Sequence, residues 1–235
     1  MSDERIGIIS EGIEDQGVLI TILKPFGFDS NDIIPIRPDL CKDATDLNNP
    51  DRTIGTFQGV KNACLGKDGE RADLDEFFFV ANNKNIIIHV DTAEIENHDF
   101  PFQRPVKVGN VDYSTELRNS LIEVIKGWLG DEYDDKIIYA IAIEEIEAWV
   151  LTAFETKDTS SIGDSKGKLV KILAKNNLSC KKFKLDPTKH KKEYFEAITK
   201  KMKFHKLNEL KKHCTKNRSL SDFVSELEVK FSQEE

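Results

Sequence analysis

The chain has 235 residues, 39% hydrophobic and 32% charged, which is enough apolar material for a core and rules out a disordered or fibrous polymer. No apolar run approaches the ~20 residues of a membrane span, and the start, MSDERIGIIS, carries acids where a secretion signal carries positive charge. A soluble cytoplasmic protein without a membrane partner is expected, and its net charge of −8 conceals an asymmetry: residues 1–164 hold 15 Lys/Arg against 33 Asp/Glu, whereas 165–218 hold 18 against 4.

In chain order, the segments 5–10, 33–36, 86–90 and 137–143 are short, β-branched and nearly continuous in apolar character, as strands of a parallel sheet covered on both faces should be. Pro35 pushes the second strand toward an edge, because it cannot donate to a ladder. Between the strands lie helical patterns at 14–25, at 53–65, at 73–82 with Asp73 as its cap, and at 114–129 with Ser114 as cap and Leu117, Leu121, Ile122, Ile125 and Trp128 at core spacing. Residues 39–52 and 97–113 read as loops. After a helix at 145–155, residues 166–230 read as all-helical. The expectation is an α/β fold with a mainly parallel sheet flanked by helices over 1–160, and a basic, all-helical C-terminal extension over 161–235 packed on it. Cys41, Cys64, Cys180 and Cys214 show no metal or disulfide spacing and read as reduced thiols.

Acids coincide with strand ends, where ligands of open α/β sheets gather. The first strand runs into Glu11, with Glu14 and Asp15 at the following helix start. The third runs into Asp91, followed by Glu94 and Glu96. The fourth runs into Glu144, Glu145 and Glu147. Such a cluster repels itself unless a cation sits within it, and hard ions such as Mg²⁺ or Mn²⁺ prefer oxygen ligands. Blander roles stand beside this one. Glu14 and Asp15 can simply complement a helix N-terminus, and Glu94 and Glu96 can be solvated loop acids. Glu147 is harder to explain so, because Ile146, Ala148, Trp149, Val150 and Leu151 surround it and a carboxylate there needs a partner.

Other constellations carry less. GlyAspSerLysGlyLys at 163–168 lacks the spacing and hydroxyl of a P-loop. His89, inside a strand, reads as a satisfied core residue; His190, His205 and His213, among lysines, read as surface groups. The lysine run reads either as a solvated helical surface or as a phosphate-binding face.

The segments IleIleSerGluGlyIleGluAsp (8–15), HisValAspThrAlaGlu (89–94) and AlaIleGluGluIleGluAlaTrpVal (142–150) together resemble the three acidic motifs of Toprim domains. The nearest variant is that of OLD-family nucleases and of the small stand-alone Toprim-like proteins encoded beside bacterial anti-phage ATPases. AspSerLysGlyLysLeu (164–169), LysLysGluTyrPhe (191–195) and SerLeuSerAspPheValSerGluLeu (219–227) extend the likeness into the tail. The resemblance implies a Toprim-like, Rossmann-like fold. It makes Glu11 a general acid/base or metal ligand, Asp15 the second acid of its motif, Asp91 the first acid of a DxD pair, and Glu144 and Glu147 the acids assisting a second metal. Ala93 stands at the second DxD position, so either Glu94 takes over the metal or one site is degraded. Lys166 matches the lysine that stabilises charge on the phosphate.

The activity this resemblance implies is that of a metal-dependent nuclease in antiviral defence, holding Mg²⁺ or Mn²⁺ on Glu11, Asp15, Asp91, Glu94, Glu144 and Glu147. Glu11 and Lys166 are its catalytic groups. Lys181, Lys182 and Lys184 bind nucleic acid, DNA ahead of RNA, and a partner ABC-type ATPase is implied. A catalytically weak module that binds nucleic acid or the ATPase is the alternative, and a small phosphotransfer or nucleotide hydrolase is a third reading.

Overall fold

The computed structural model describes residues 5–38, 56–66, 71–93, 95–97, 100–160, 162–186 and 191–231. Four strands, β1 (Ile6–Ile9), β2 (Ile33–Arg37), β3 (Asn85–Asp91) and β4 (Ile137–Ala142), form one parallel sheet in the order β2-β1-β3-β4. Pro35 therefore lies on an edge strand, where its missing N–H costs no central ladder bond. β1, β3 and β4 are buried almost throughout, and the period-two alternation of their side chains divides them between two apolar cores.

On one side, Ile87, Ile138, Ala140 and Ala142 pack with α1 (Ile13–Leu23). On the other, Ile86, Ile88, Val90, Ile137, Tyr139 and Ile141 pack with α2 (Phe57–Leu65), α3 (Ala72–Asp75) and α4 (Tyr113–Leu129). The helix over 73–82 is short, giving way to a π-helical turn at Glu76–Val80. Asp73 is not its cap: the N-cap is Arg71, and Asp73 pairs with Arg37 at 2.7 Å. Ser114 likewise lies inside α4, whose N-cap is Asp112.

After β4 the helices are α5 (Glu147–Leu151), shorter than its pattern suggested, then α6 (Ser165–Lys175), α7 (Lys191–Lys201), α8 (Leu207–Cys214) and α9 (Arg218–Phe231). Their side chains Leu169, Ile198, Leu210, Phe223 and Leu227 join the core that holds α1. α7 lies so close to α1 that a Cβ on Gly17 would sit 2.3 Å from the Lys192 carbonyl oxygen. Thr21 and Thr199 hydroxyls bond at 2.8 Å, and Lys24 pairs with Glu196 at 2.6 Å across the same contact. α9 covers the outer edge of β4: the Glu226 carboxylate accepts from the Tyr139 N–H at 3.1 Å and pairs with Arg118 at 2.7 Å. An open ladder group on the sheet edge is thereby satisfied. Trp149 locks this helix in place, stacked on Phe223 with its indole N–H donating to Ser219 Oγ at 2.8 Å. Cys64, Cys180 and Cys214 are free thiols, and Cys41 lies outside the described residues.

Candidate functional site

Parallel packing brings the ends of β1, β3 and β4 to one edge of the sheet. Glu11 follows β1, and its carboxylate accepts the backbone N–H of Asp91, the last residue of β3, at 2.8 Å. Asp91 Oδ1 in turn accepts the N–H of Ile146, just past β4, at 2.9 Å. Three strand ends are thus linked in series through two of the predicted acids. Asp15 sits in the first turn of α1, where its Oδ2 accepts the Gly12 N–H at 2.7 Å, so its helix-capping role is real.

Between these acids stands His89, wholly buried, with Nδ1 3.5 Å from Asp15 Oδ2 and Nε2 3.4 Å from Asp91 Oδ1. The expectation of a satisfied core histidine is corrected: neither ring nitrogen completes a hydrogen bond among the described residues. Burial pushes the carboxyls of Asp15, Asp91 and Glu147 above the usual range; Asp91 is raised further by Glu147 and Glu145, and Asp15 by Asp91, Glu147 and Glu11.

Glu147, at the start of α5, is buried and has Lys166 Nζ 3.9 Å away, the partner its apolar surroundings demand. Burial opposes the charge on the Lys166 ammonium, yet Glu147, Glu14 and Glu145 together hold its pKa above the usual value. Glu145, to which the motif resemblance gives no role, fixes the start of α6 by accepting from Ser165 Oγ at 2.9 Å and from the Lys166 N–H at 2.8 Å. Glu14 pairs with Lys191 at 2.9 Å.

Glu11, Asp91, Glu145 and Lys166 face a cleft of about 510 Å³ that opens over the sheet edge. Its other walls are Ala93 and Ile95, the first turn of α2 at Thr56, Phe57 and Gln58, and Phe100. The aromatic wall was not anticipated, since Phe57 and Phe100 fall in separate segments with no motif in common.

Glu144 is drawn elsewhere. The backbone is left-handed there (φ 64°), and the carboxylate takes Lys107 at 2.7 Å, Arg104 at 3.5 Å and the Tyr113 hydroxyl at 3.4 Å. Arg104 also bonds the Thr92 carbonyl and pairs with Glu96, which is more than a solvated loop acid. Glu94 lies outside the described residues. Lys181, Lys182 and Lys184 are exposed on and beside the 3₁₀ turn Cys180–Phe183, and none lines the cleft. His213 is not a surface group: it is buried, stacked on Phe204 at 4.2 Å. His190 is outside the described residues.

Among the described residues no three His, Cys, Asp or Glu side chains converge as a ready metal cage. The donors nonetheless suit a hard divalent cation. Magnesium is usually held by one or two carboxylates with water completing its shell, and Glu11 and Asp91 offer carboxylates in a cleft whose acids are raised by burial and mutual repulsion. Among the described residues no helix is long and apolar enough to cross a membrane. No protein-family model, no curated protein and no solved structure matches this chain.

Proposed function

We propose that this chain is a metal-dependent nuclease that hydrolyses phosphodiester bonds in the cleft at the carboxyl edge of its sheet. The observation that carries the reading is the sharing of one cleft by Glu11, Asp91, Glu145 and Lys166. Glu11 and Asp91 would hold Mg²⁺ or Mn²⁺, with Glu147 and Asp15 as charged neighbours. When bound, such an ion orients a water and neutralises charge developing on the phosphate. Lys166, kept protonated by its acidic neighbours and positioned by Glu145, supplies positive charge to the phosphate. Lys181, Lys182 and Lys184 supply sequence-independent phosphate contacts of the kind that weaken with salt. In line with the resemblance to Toprim-like proteins, the activity would serve anti-phage defence alongside an ABC-type ATPase.

The test is cleavage of supercoiled plasmid and of circular single-stranded DNA with Mg²⁺ or Mn²⁺, comparing the parent with Glu11→Ala and Asp91→Ala. Cleavage by the parent alone supports the reading; equal cleavage by all three places the activity elsewhere.

A second reading, a module that binds nucleic acid or the ATPase without cutting, is favoured by Ala93. It lines the cleft where the motif calls for a second acid, and it has no carboxylate to offer. A ligand that binds only the folded state raises its melting temperature. Salt-sensitive DNA binding without any Mn²⁺-induced rise would select this second reading.

A further inference from the structure

We infer that the aromatic wall beside the acidic cleft is a stacking platform for unpaired bases, which makes single-stranded polynucleotide the substrate class. The inference rests on the nuclease reading of the cleft. Phe57 and Phe100 line the cleft opposite its acids. From Phe100 the rings continue outward: Phe102 lies 5.4 Å away and Trp128 6.2 Å away, centroid to centroid, with Trp128 also 5.6 Å from Phe57. Phe102 and Trp128 are half-buried and line an adjoining groove of about 550 Å³ on the face of α4.

Two features single out a polynucleotide over a generic apolar partner. The groove is continuous, through Phe100, with a cleft that holds Lys166. Lys61 also stands 5.7 Å over the Trp128 ring, placing a cation beside an aromatic face. Bases offer a π-face to such rings and phosphates need such cations, and the combination is the usual means of gripping single strands. A base inside a duplex has both faces already stacked. A strand with one phosphate over Glu11, Asp91 and Lys166 would carry its flanking bases onto Phe102 and Trp128.

The experiment is binding in EDTA, so that no cleavage occurs, of oligothymidylate and of a duplex of equal length, followed by tryptophan fluorescence. Trp149 is fully buried, so quenching reports on Trp128. The expected result is quenching by the single strand, with affinity about tenfold above that for the duplex. Phe102→Leu and Trp128→Leu should each lose about tenfold for the single strand, while Trp128→Phe, which keeps a ring, retains most of the affinity. Equal binding of duplex and single strand, or unchanged affinity in both leucine variants, would overturn the platform. So would a loss in Trp128→Phe as large as in Trp128→Leu, since that marks loosened packing. The nuclease reading fails separately, by absence of cleavage dependent on Glu11 and Asp91, whatever the oligonucleotide does.

Discussion

The Glu11 carboxylate accepts the backbone N–H of Asp91 at 2.8 Å, so one candidate acid holds the other's strand end in place. Glu11→Gln keeps an acceptor oxygen and removes the charge. Its melting temperature without metal should match the parent's, the change in stability staying within about 0.5 kcal/mol, while the rise produced by Mn²⁺ should shrink. Glu11→Ala should in addition lose about 1 kcal/mol from the N–H left without that acceptor. Thermal unfolding with and without Mn²⁺ reads both, and a parent-sized Mn²⁺ effect in Glu11→Gln would remove Glu11 from the ligand set.

Gly17 is the point where α1 and α7 touch, with room for a hydrogen and no more. Gly17→Ala gains about 1 kcal/mol of helix propensity and loses about 2–3 kcal/mol by forcing its methyl against the Lys192 carbonyl. A net loss is expected in urea unfolding. Stability at or above the parent's would show that α7 is free to move off α1.

All four strands were legible in the sequence because their β-branched runs are buried on both faces, and Pro35 marked the edge for a local chemical reason. Glu11 and Asp91 were legible as site candidates for the same cause, since each directly follows or ends an apolar strand. What escaped depends on partners far along the chain. Asp73 reads as a cap until Arg37 claims it, and Glu144 reads as a ligand until Arg104 and Lys107 arrive from a loop without periodicity. His213 reads as a surface group among lysines, although its helix turns it onto Phe204.

Burial lowers the pKa of His213 from its usual value, and nearby Lys216 lowers it further. Its Nε2 lies 3.1 Å from the Met202 carbonyl, while Nδ1 has no partner among the described residues to accept from it. The unfolded chain therefore binds this proton more readily than the folded one, and stability must fall as pH drops through the histidine range. Urea midpoints should decrease from about pH 7 to about pH 5, and His213→Gln, which can still donate to Met202, should flatten part of the slope. Burial lowers His89 and His205 too, so a residual slope with the same sign is expected. Identical slopes in parent and variant would show that His213 does not contribute.

Glu144 separates two roles most sharply, because the motif resemblance makes it a metal ligand and the structure surrounds it with Lys107, Arg104 and Tyr113. Arg104 is largely buried and also holds the Thr92 carbonyl, so the carboxylate anchors residues 104–107 to the segment between Asp91 and Glu96. Glu144→Ala leaves these cations without their shared anion. Full loss of a buried partner costs about 3–5 kcal/mol, and with Lys107 partly exposed the expected cost is about 2 kcal/mol. Amide exchange over 100–112 should quicken, since that loop loses its anchor, while the melting-temperature rise produced by Mn²⁺ persists. If exchange stays at the parent rate and the Mn²⁺ effect disappears, the carboxylate serves a cation after all, and the ion pairs with Lys107 and Arg104 yield to it when metal binds.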